Sequence, residues 1–179
     1  MNTVVWIELS QDNIDWIDRK SHKQTLARWN DGARAQGGQP ADLDVQIAEG
    51  RMGARGEAAV QKWIGKMVKW RILEPMVYGE NRKPDFGDDI DAKTVNYQRA
   101  QLWLTPNCPP DWIYILVSSH AHPRYRIIGW CYGREMMLQE YWNKDAPREP
   151  AWVINQDNPI LKSPASLYEM IALRAKIPQ

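Results

Sequence analysis

Residues 112–117 constrain the fold more than any other part of the chain. They read Trp-Ile-Tyr-Ile-Leu-Val, an apolar run without interruption, which is typical of a strand covered on both faces. Such a strand lies inside a sheet, so other elements must supply two covering layers. We therefore expect a central strand in a layered domain.

The patterns on either side of this run predict helices and further strands. Apolar residues three and four positions apart predict an amphipathic helix over 44–64. Ser10 can cap a helix over 11–30, and Ser163 one over 163–174, with Pro164 at its first position. Strands are predicted at 67–73, 74–78, 90–97, 100–105, 125–132 and 151–154, and a short helix at 134–141. This alternation predicts an α/β fold with a central mixed sheet flanked by helices.

Length and composition favour one soluble domain. The chain has 179 residues, 44% of them hydrophobic and 25% charged, which is ordinary for a globular protein. Gly37-Gly38-Gln39-Pro40 predicts a link, so residues 1–40 are expected to form an N-terminal helical appendage and linker, and residues 41–179 the core. No signal peptide or spanning apolar stretch is recognisable, so we expect a cytoplasmic protein without a membrane partner.

The segment 84–93 concentrates charge. It reads Pro-Asp-Phe-Gly-Asp-Asp-Ile-Asp-Ala-Lys. In an extended strand Asp91 and Lys93 share one face, roughly 6 to 7 Å apart. A carboxylate so placed can hold a divalent cation while the ammonium neutralises charge on a transferred group, and Asp85 can fold back through the turn as a second ligand. An acidic turn without any metal would contain the same residue types.

Glu57 is a second acidic candidate, on the helix predicted over 44–64. It shares a helix face with Gly53, Ala54, Val60 and Ile64, and a carboxylate in apolar surroundings is costly unless something pairs with it. Three interpretations of Glu57 are open. It is a solvated residue, or it pairs with Arg51 or Gln61 at the rim of the helix, or it is a third acidic group that faces the same ion.

The order Glu57, then Pro84-Asp85, then Asp91-Ala92-Lys93 resembles the PD-(D/E)xK nuclease superfamily, over about residues 45–157. The resemblance implies a restriction-endonuclease-like core and hydrolysis of phosphodiester bonds in phage or bacterial DNA processing or defence. It implies that Glu57, Asp85, Asp91 and Lys93 are catalytic. The family usually places a longer hairpin between its two acidic residues, so Asp88 or Asp89 is an alternative to Asp85 as metal ligand.

The cofactor and partner expectations follow from the same residues. Oxygen ligands without histidine or thiol favour Mg²⁺ or Mn²⁺ over zinc. The formal net charge of +1 gives no overall attraction to nucleic acid, so local basic clusters must supply it. The residues expected to bind nucleic acid, with DNA as the expected form, are Arg82, Lys83, Lys62, Lys66, Arg124 and Arg126. A homodimer is a further expectation, because many enzymes of this superfamily act as pairs.

Two other classes stay open. The chain could be a catalytically inactive DNA-binding or recombination accessory, or a phage interaction protein, on the same fold. It could also be a carbohydrate-active hydrolase, since paired carboxylates and ten tryptophans also suit sugar binding. Lys93 argues against the hydrolase, because a glycosidase has no general need for a cation there. Among the tryptophans we expect Trp63, Trp112 and Trp130 in the core, whereas Trp16, Trp142 and Trp152 could stack on bases.

Overall fold

The computed structural model describes residues 4–30, 42–65 and 83–175. The predicted link at 37–40 and the predicted strands at 67–73 and 74–78 lie outside these ranges. The described strands are β1 (Val5–Glu8), β2 (Ile90–Val95), β3 (Gln101–Leu104), β4 (Ile113–Ala121), β5 (Arg124–Tyr132), β6 (Trp142–Asn143) and β7 (Ala151–Asn155). The described helices are α1 (Gln11–Asn30), α2 (Leu43–Ile64), α3 (Gly133–Met136) and α4 (Pro164–Arg174).

The strands form two sheets. The larger has the order β1-β5-β4-β2 and the smaller the order β3-β7-β6. In the larger sheet β2 runs parallel to β4, while the other pairs are antiparallel. Helices α2 and α4 pack against one face of this mixed sheet, and the smaller sheet packs against the other face together with α3. The prediction of an α/β protein with a mixed sheet flanked by helices is confirmed at this level.

Strand β4 is buried on both faces, as its apolar run predicts. Ile113, Ile115 and Val117 belong to the core on the side of α2. Tyr114 and Leu116 belong to the core beneath the smaller sheet. Because β4 lies between β5 and β2, it joins the two cores and fixes the position of β2.

The N-terminal residues contribute to the main sheet, which the sequence analysis did not predict. β1 pairs antiparallel with β5. α1 has its predicted bounds, and the Ser10 hydroxyl accepts a hydrogen bond from the Asn13 backbone N–H at 3.4 Å. Ile14 and Ile17 lie in the core, so the residues before the predicted boundary at 40 share one core with the residues after it.

Some local predictions need correction. The helix predicted over 134–141 is divided into α3 and a 3-10 turn at Gln139–Tyr141, and β6 was not predicted. α4 begins as predicted, because the Ser163 hydroxyl accepts a hydrogen bond from the Ser166 N–H at 3.5 Å. None of the described helices is long and apolar enough to cross a membrane.

Gly56 brings α2 unusually close to β2. A Cβ atom built at Gly56 would lie 1.8 Å from Thr94 Oγ1 and 2.8 Å from its Cβ and Cγ2 atoms. No side chain fits there, although glycine inside a helix costs about 1 kcal/mol relative to alanine. The close contact sets the next residue, Glu57, beside β2.

We predict that Gly56→Ala destabilises the protein by about 1–3 kcal/mol, because overpacking of Thr94 outweighs the helix propensity of alanine. Urea unfolding measures this change. Gly53→Ala is the matched control on the same helix, because nothing lies within 4 Å of a Cβ atom built there; it should stabilise by up to about 1 kcal/mol. Thr94→Ala should recover part of the Gly56→Ala loss. Equal stabilisation by both glycine substitutions would contradict the close packing.

Candidate active site

A tight turn positions the acidic segment. The Phe86 N–H donates to the Ile90 carbonyl at 2.9 Å, and the Ile90 N–H donates to the Phe86 carbonyl at 3.2 Å. Between them Gly87 has a φ of 55°, which favours glycine. The Phe86 side chain is fully buried. The turn is therefore anchored in the core, and it holds Asp85 beside β2.

Asp85 lies at the outer edge of β2. Its Oδ2 atom accepts a hydrogen bond from the Ala92 backbone N–H at 2.7 Å. β2 pairs with β4 on its other side and is an edge strand within the described residues. A carboxylate at an edge can meet side chains from both faces of a sheet, because successive strand residues point in opposite directions.

Asp91 and Lys93 lie on the face of the sheet away from α2. Ile90 and Ala92 pack in the core beneath α2, so the alternation directs Asp91 and Lys93 to the other side. Their side chains form an ion pair, and Asp91 is only 3% exposed. The Lys93 Nζ atom also lies 5.8 Å from the centre of the Tyr114 ring. The predicted pairing of these two residues on one face is therefore present.

Glu57 approaches from the opposite face, on α2, and the charges meet at Asp85. Burial raises the pKa of Asp85 well above its usual value, and the negative charges of Glu57 and Asp91 raise it further. A hydrogen bond to the Asp91 side chain acts in the same direction, whereas the positive charge of Lys93 lowers the pKa. Asp85 thus lies within electrostatic range of all three other predicted catalytic residues.

The two alternatives to Asp85 are placed differently. The Asp89 carboxylate forms an ion pair with Arg174 of α4, with Nη1 2.9 Å from Oδ2. Asp88 is exposed on the outside of the turn. The charges of Glu57 and Asp91 act on Asp85 and raise its pKa, so Asp85 is the candidate that the structure brings to the other acids.

The donor atoms suit a hard dication. Carboxylate oxygens are the ligands that Mg²⁺ and Mn²⁺ prefer, and Mg²⁺ often takes only one or two carboxylates and keeps several waters. Among residues 4–30, 42–65 and 83–175, no group of three or more His, Cys, Asp or Glu side chains is arranged to hold a metal ion. Of the predicted ligands, Asp85 and Asp91 share a side-chain hydrogen bond, and Glu57 contributes negative charge from the adjacent helix.

The predicted basic residues are scattered. Arg82 and Lys66 lie outside the described residues, and Lys83 is exposed just before the turn. Lys62 donates through Nζ to the Glu8 carbonyl at 2.8 Å. Arg124 and Arg126 lie on β5, paired with β1 at the other side of the sheet from β2. Of the four described residues among those expected to bind nucleic acid, only Lys83 lies near the acidic segment.

The tryptophan predictions are partly met. Trp130 is buried in the core, but Trp63 packs against it only partly buried. Trp112 packs partly buried against the second core. Trp16 is 37% exposed, and Trp142 and Trp152 pack against each other with ring centres 4.7 Å apart.

Trp6 was missed by the sequence analysis and is 41% exposed beside Arg124. The alternation of Val5 and Ile7 with Trp6 and Glu8 is the signal that would have identified both β1 and this exposed aromatic residue.

The chain significantly matches no protein-family model, no curated protein and no solved structure.

The raised pKa of Asp85 predicts how stability depends on pH. Between its usual value near 3.8 and its raised value, the folded state keeps a proton that the unfolded state releases. The free energy of unfolding should therefore fall as pH rises through this window. Asp85→Asn removes the carboxylate but keeps an oxygen for the Ala92 N–H. We predict that this variant is more stable than wild type at pH 7 in EDTA, and that the difference shrinks towards pH 4.

Urea unfolding at pH 4, 5.5 and 7 measures this dependence. Asp145→Asn is the control, since Asp145 is an exposed acid away from the turn and should change stability little at any of these pH values. A loss of stability in Asp85→Asn at pH 7 in EDTA would contradict the electrostatic picture.

Proposed function

We propose that this protein is a Mg²⁺- or Mn²⁺-dependent nuclease that hydrolyses phosphodiester bonds, those of DNA in the first place. One observation carries the proposal: four charged side chains from three separate segments meet at the edge of β2. They are Glu57 of α2, Asp85 of the turn, and Asp91 and Lys93 of β2. Carboxylates gathered beside one amine are what cation-assisted transfer of a phosphoryl group requires.

Each residue has a distinct role in this proposal. Asp85 and Asp91 would hold the cation, and Glu57 would contribute to its binding directly or through a water molecule. The chemistry supplied by a bound cation would be a water molecule of lowered pKa and positive charge at the phosphate. Lys93 leaves Asp91 and binds the phosphate oxygens on which negative charge builds up in the transition state. The ion pair between Lys93 and Asp91 supports this role, because it keeps the ammonium group next to one of the proposed cation ligands before the phosphate arrives.

The restriction-endonuclease-like core belongs to the same proposal. It is supported by the order of helix, acidic turn and Asp-x-Lys strand, set in a mixed sheet between layers. The short connection from Asp85 to Asp91 differs from the longer hairpin of the family. Here the close turn at Gly87 and the Asp85 hydrogen bond to Ala92 bring the two carboxylates together. Phage or bacterial DNA processing or defence is the proposed setting.

A panel of substrates tests the reaction. Plasmid, linear and branched DNA and a single-stranded RNA are incubated with the protein, each with Mg²⁺, with Mn²⁺ and with EDTA. The proposal predicts cleavage of DNA that depends on the added cation. Binding of DNA without any cleavage would instead favour the catalytically inactive DNA-binding accessory.

We predict that Lys93→Arg lowers Mg²⁺-dependent cleavage by about 10²-fold or more, because a guanidinium cannot replace a compact ammonium at one position. Lys93→Ala should lose at least as much activity, but it also leaves the buried Asp91 carboxylate without its ion-pair partner and should destabilise the fold. Lys93→Arg keeps the charge, so its melting temperature should stay close to that of wild type.

Lys144→Ala is the control for these variants, since Lys144 is exposed after β6. It should cleave as wild type does. Wild-type cleavage by a folded Lys93→Arg or Lys93→Ala sample would remove Lys93 from the mechanism, and wild-type cleavage by Asp91→Asn would end the proposal as a whole.

A further inference from the structure

An exposed aromatic and cationic surface lies on β1 and the neighbouring strands, away from Glu57, Asp85 and Asp91, which we call the acid cluster. Trp6 is 41% exposed, and the Arg124 guanidinium lies 4.9 Å from the centre of its ring. The His120 ring centre is 6.2 Å from that of Trp6. We call Trp6, His120 and Arg124 the Trp6 platform. Val5 and Ile7 pack into the core, so Trp6 projects from the opposite face of the sheet.

The Trp6 platform continues into a polar cleft. Arg126 pairs across the strands with Trp6, and its Nη2 atom donates to the side chain of Gln156 at 2.6 Å. Gln156 is one wall of a cleft of about 520 Å³, whose polar lining also includes Arg99, Gln101, Asn155, Asp157 and Asn158. A planar aromatic and cationic surface is thus followed by a cleft rich in amide groups.

The chemistry of this surface fits unpaired nucleotides better than an apolar partner. Indole and guanidinium planes both offer faces on which a base can stack. Arginine side chains bind phosphates, and amide side chains can form hydrogen bonds with base edges. The cleft beside the platform is lined mainly by polar and charged side chains, so an apolar partner would find little to pack against there.

We propose that the Trp6 platform and the adjoining amide-lined cleft bind an unpaired stretch of nucleic acid. The bases of a duplex are stacked on each other and cannot reach an indole ring, so the platform should favour single strands or single-stranded ends. This inference deepens the proposed nuclease function and rests on it for its biological meaning. Within the described residues, β1 and β2 are the two edges of the main sheet. Three strand spacings, or about 14 Å, separate them. Strand binding and cleavage can therefore be measured independently.

The test measures binding in EDTA, so that no cleavage occurs. Fluorescence anisotropy follows the binding of a labelled twelve-nucleotide oligothymidylate, the RNA of the same length, and a duplex of the same length. Wild type is expected to bind the single strands at least tenfold more tightly than the duplex. Trp6→Ala should weaken single-strand binding by about tenfold or more, because stacking on one aromatic side chain is lost. Trp6→Tyr keeps an aromatic ring and should retain most of the affinity.

Matched variants separate this proposal from the nuclease proposal. Trp29→Ala removes another tryptophan of similar exposure, 38%, and should bind as wild type does. Asp145→Asn removes an exposed acid that belongs neither to the platform nor to the acid cluster, and it should also bind normally. Wild-type affinity in a folded Trp6→Ala and in Arg124→Gln, or equal affinity of wild type for single strand and duplex, would overturn the platform. Neither of these binding results would count against the nuclease proposal. Loss of cleavage in Lys93→Arg would in turn say nothing against single-strand binding by the platform.

Discussion

The contact between Gly56 and Thr94 is the constraint on which the arrangement of the acid cluster depends. A helix with any side chain at that position would have to move away from β2, since its Cβ would lie within 2.8 Å of three Thr94 atoms. Glu57 follows Gly56 directly, so the same contact decides how near the Glu57 carboxylate lies to the edge of the strand. The packing of α2 on β2 thereby sets the distance between the Glu57 carboxylate and the acids at the edge of β2. The same contact thus determines both the helix position and the proposed chemistry.

The gathered carboxylates are an electrostatic cost to the protein without a cation. Burial and the charges of Glu57 and Asp91 raise the pKa of Asp85, which means that the ionised cluster is unfavourable in the folded state. The rest of the structure offsets this cost through the buried Phe86 ring, the hydrogen bond from Ala92, and the ion pair of Asp91 with Lys93. Proteins usually keep such unfavourable charge arrangements at functional sites. In this protein a bound cation would relieve the repulsion between the carboxylates.

Much of the fold could be predicted from the sequence, because its signals are local. The apolar run at β4, the capping residues Ser10 and Ser163 and the spacing of apolar residues along α2 each report the environment of one element. β6 was missed because a strand of two residues contains too little alternation, whereas the four residues of β1 do alternate and were not recognised as a strand. In the site, the sequence identified the four charged residues but left Asp85, Asp88 and Asp89 as alternatives. Tertiary contacts separate them, since Arg174 binds Asp89 from a helix some eighty positions later, which no local pattern reveals.

Calorimetric titration of Mn²⁺ into the protein tests most directly whether the acids form one cation site. Repeating it in two buffers of different ionisation enthalpy counts the protons released. Because Asp85 and Asp91 share a hydrogen bond that needs a proton, a cation must displace that proton to bind both. We expect binding with proton release, tighter at higher pH, and its loss in Asp91→Asn but not in Asp145→Asn. Absence of binding, or binding unchanged by Asp91→Asn, would contradict the central claim that these side chains converge on one cation.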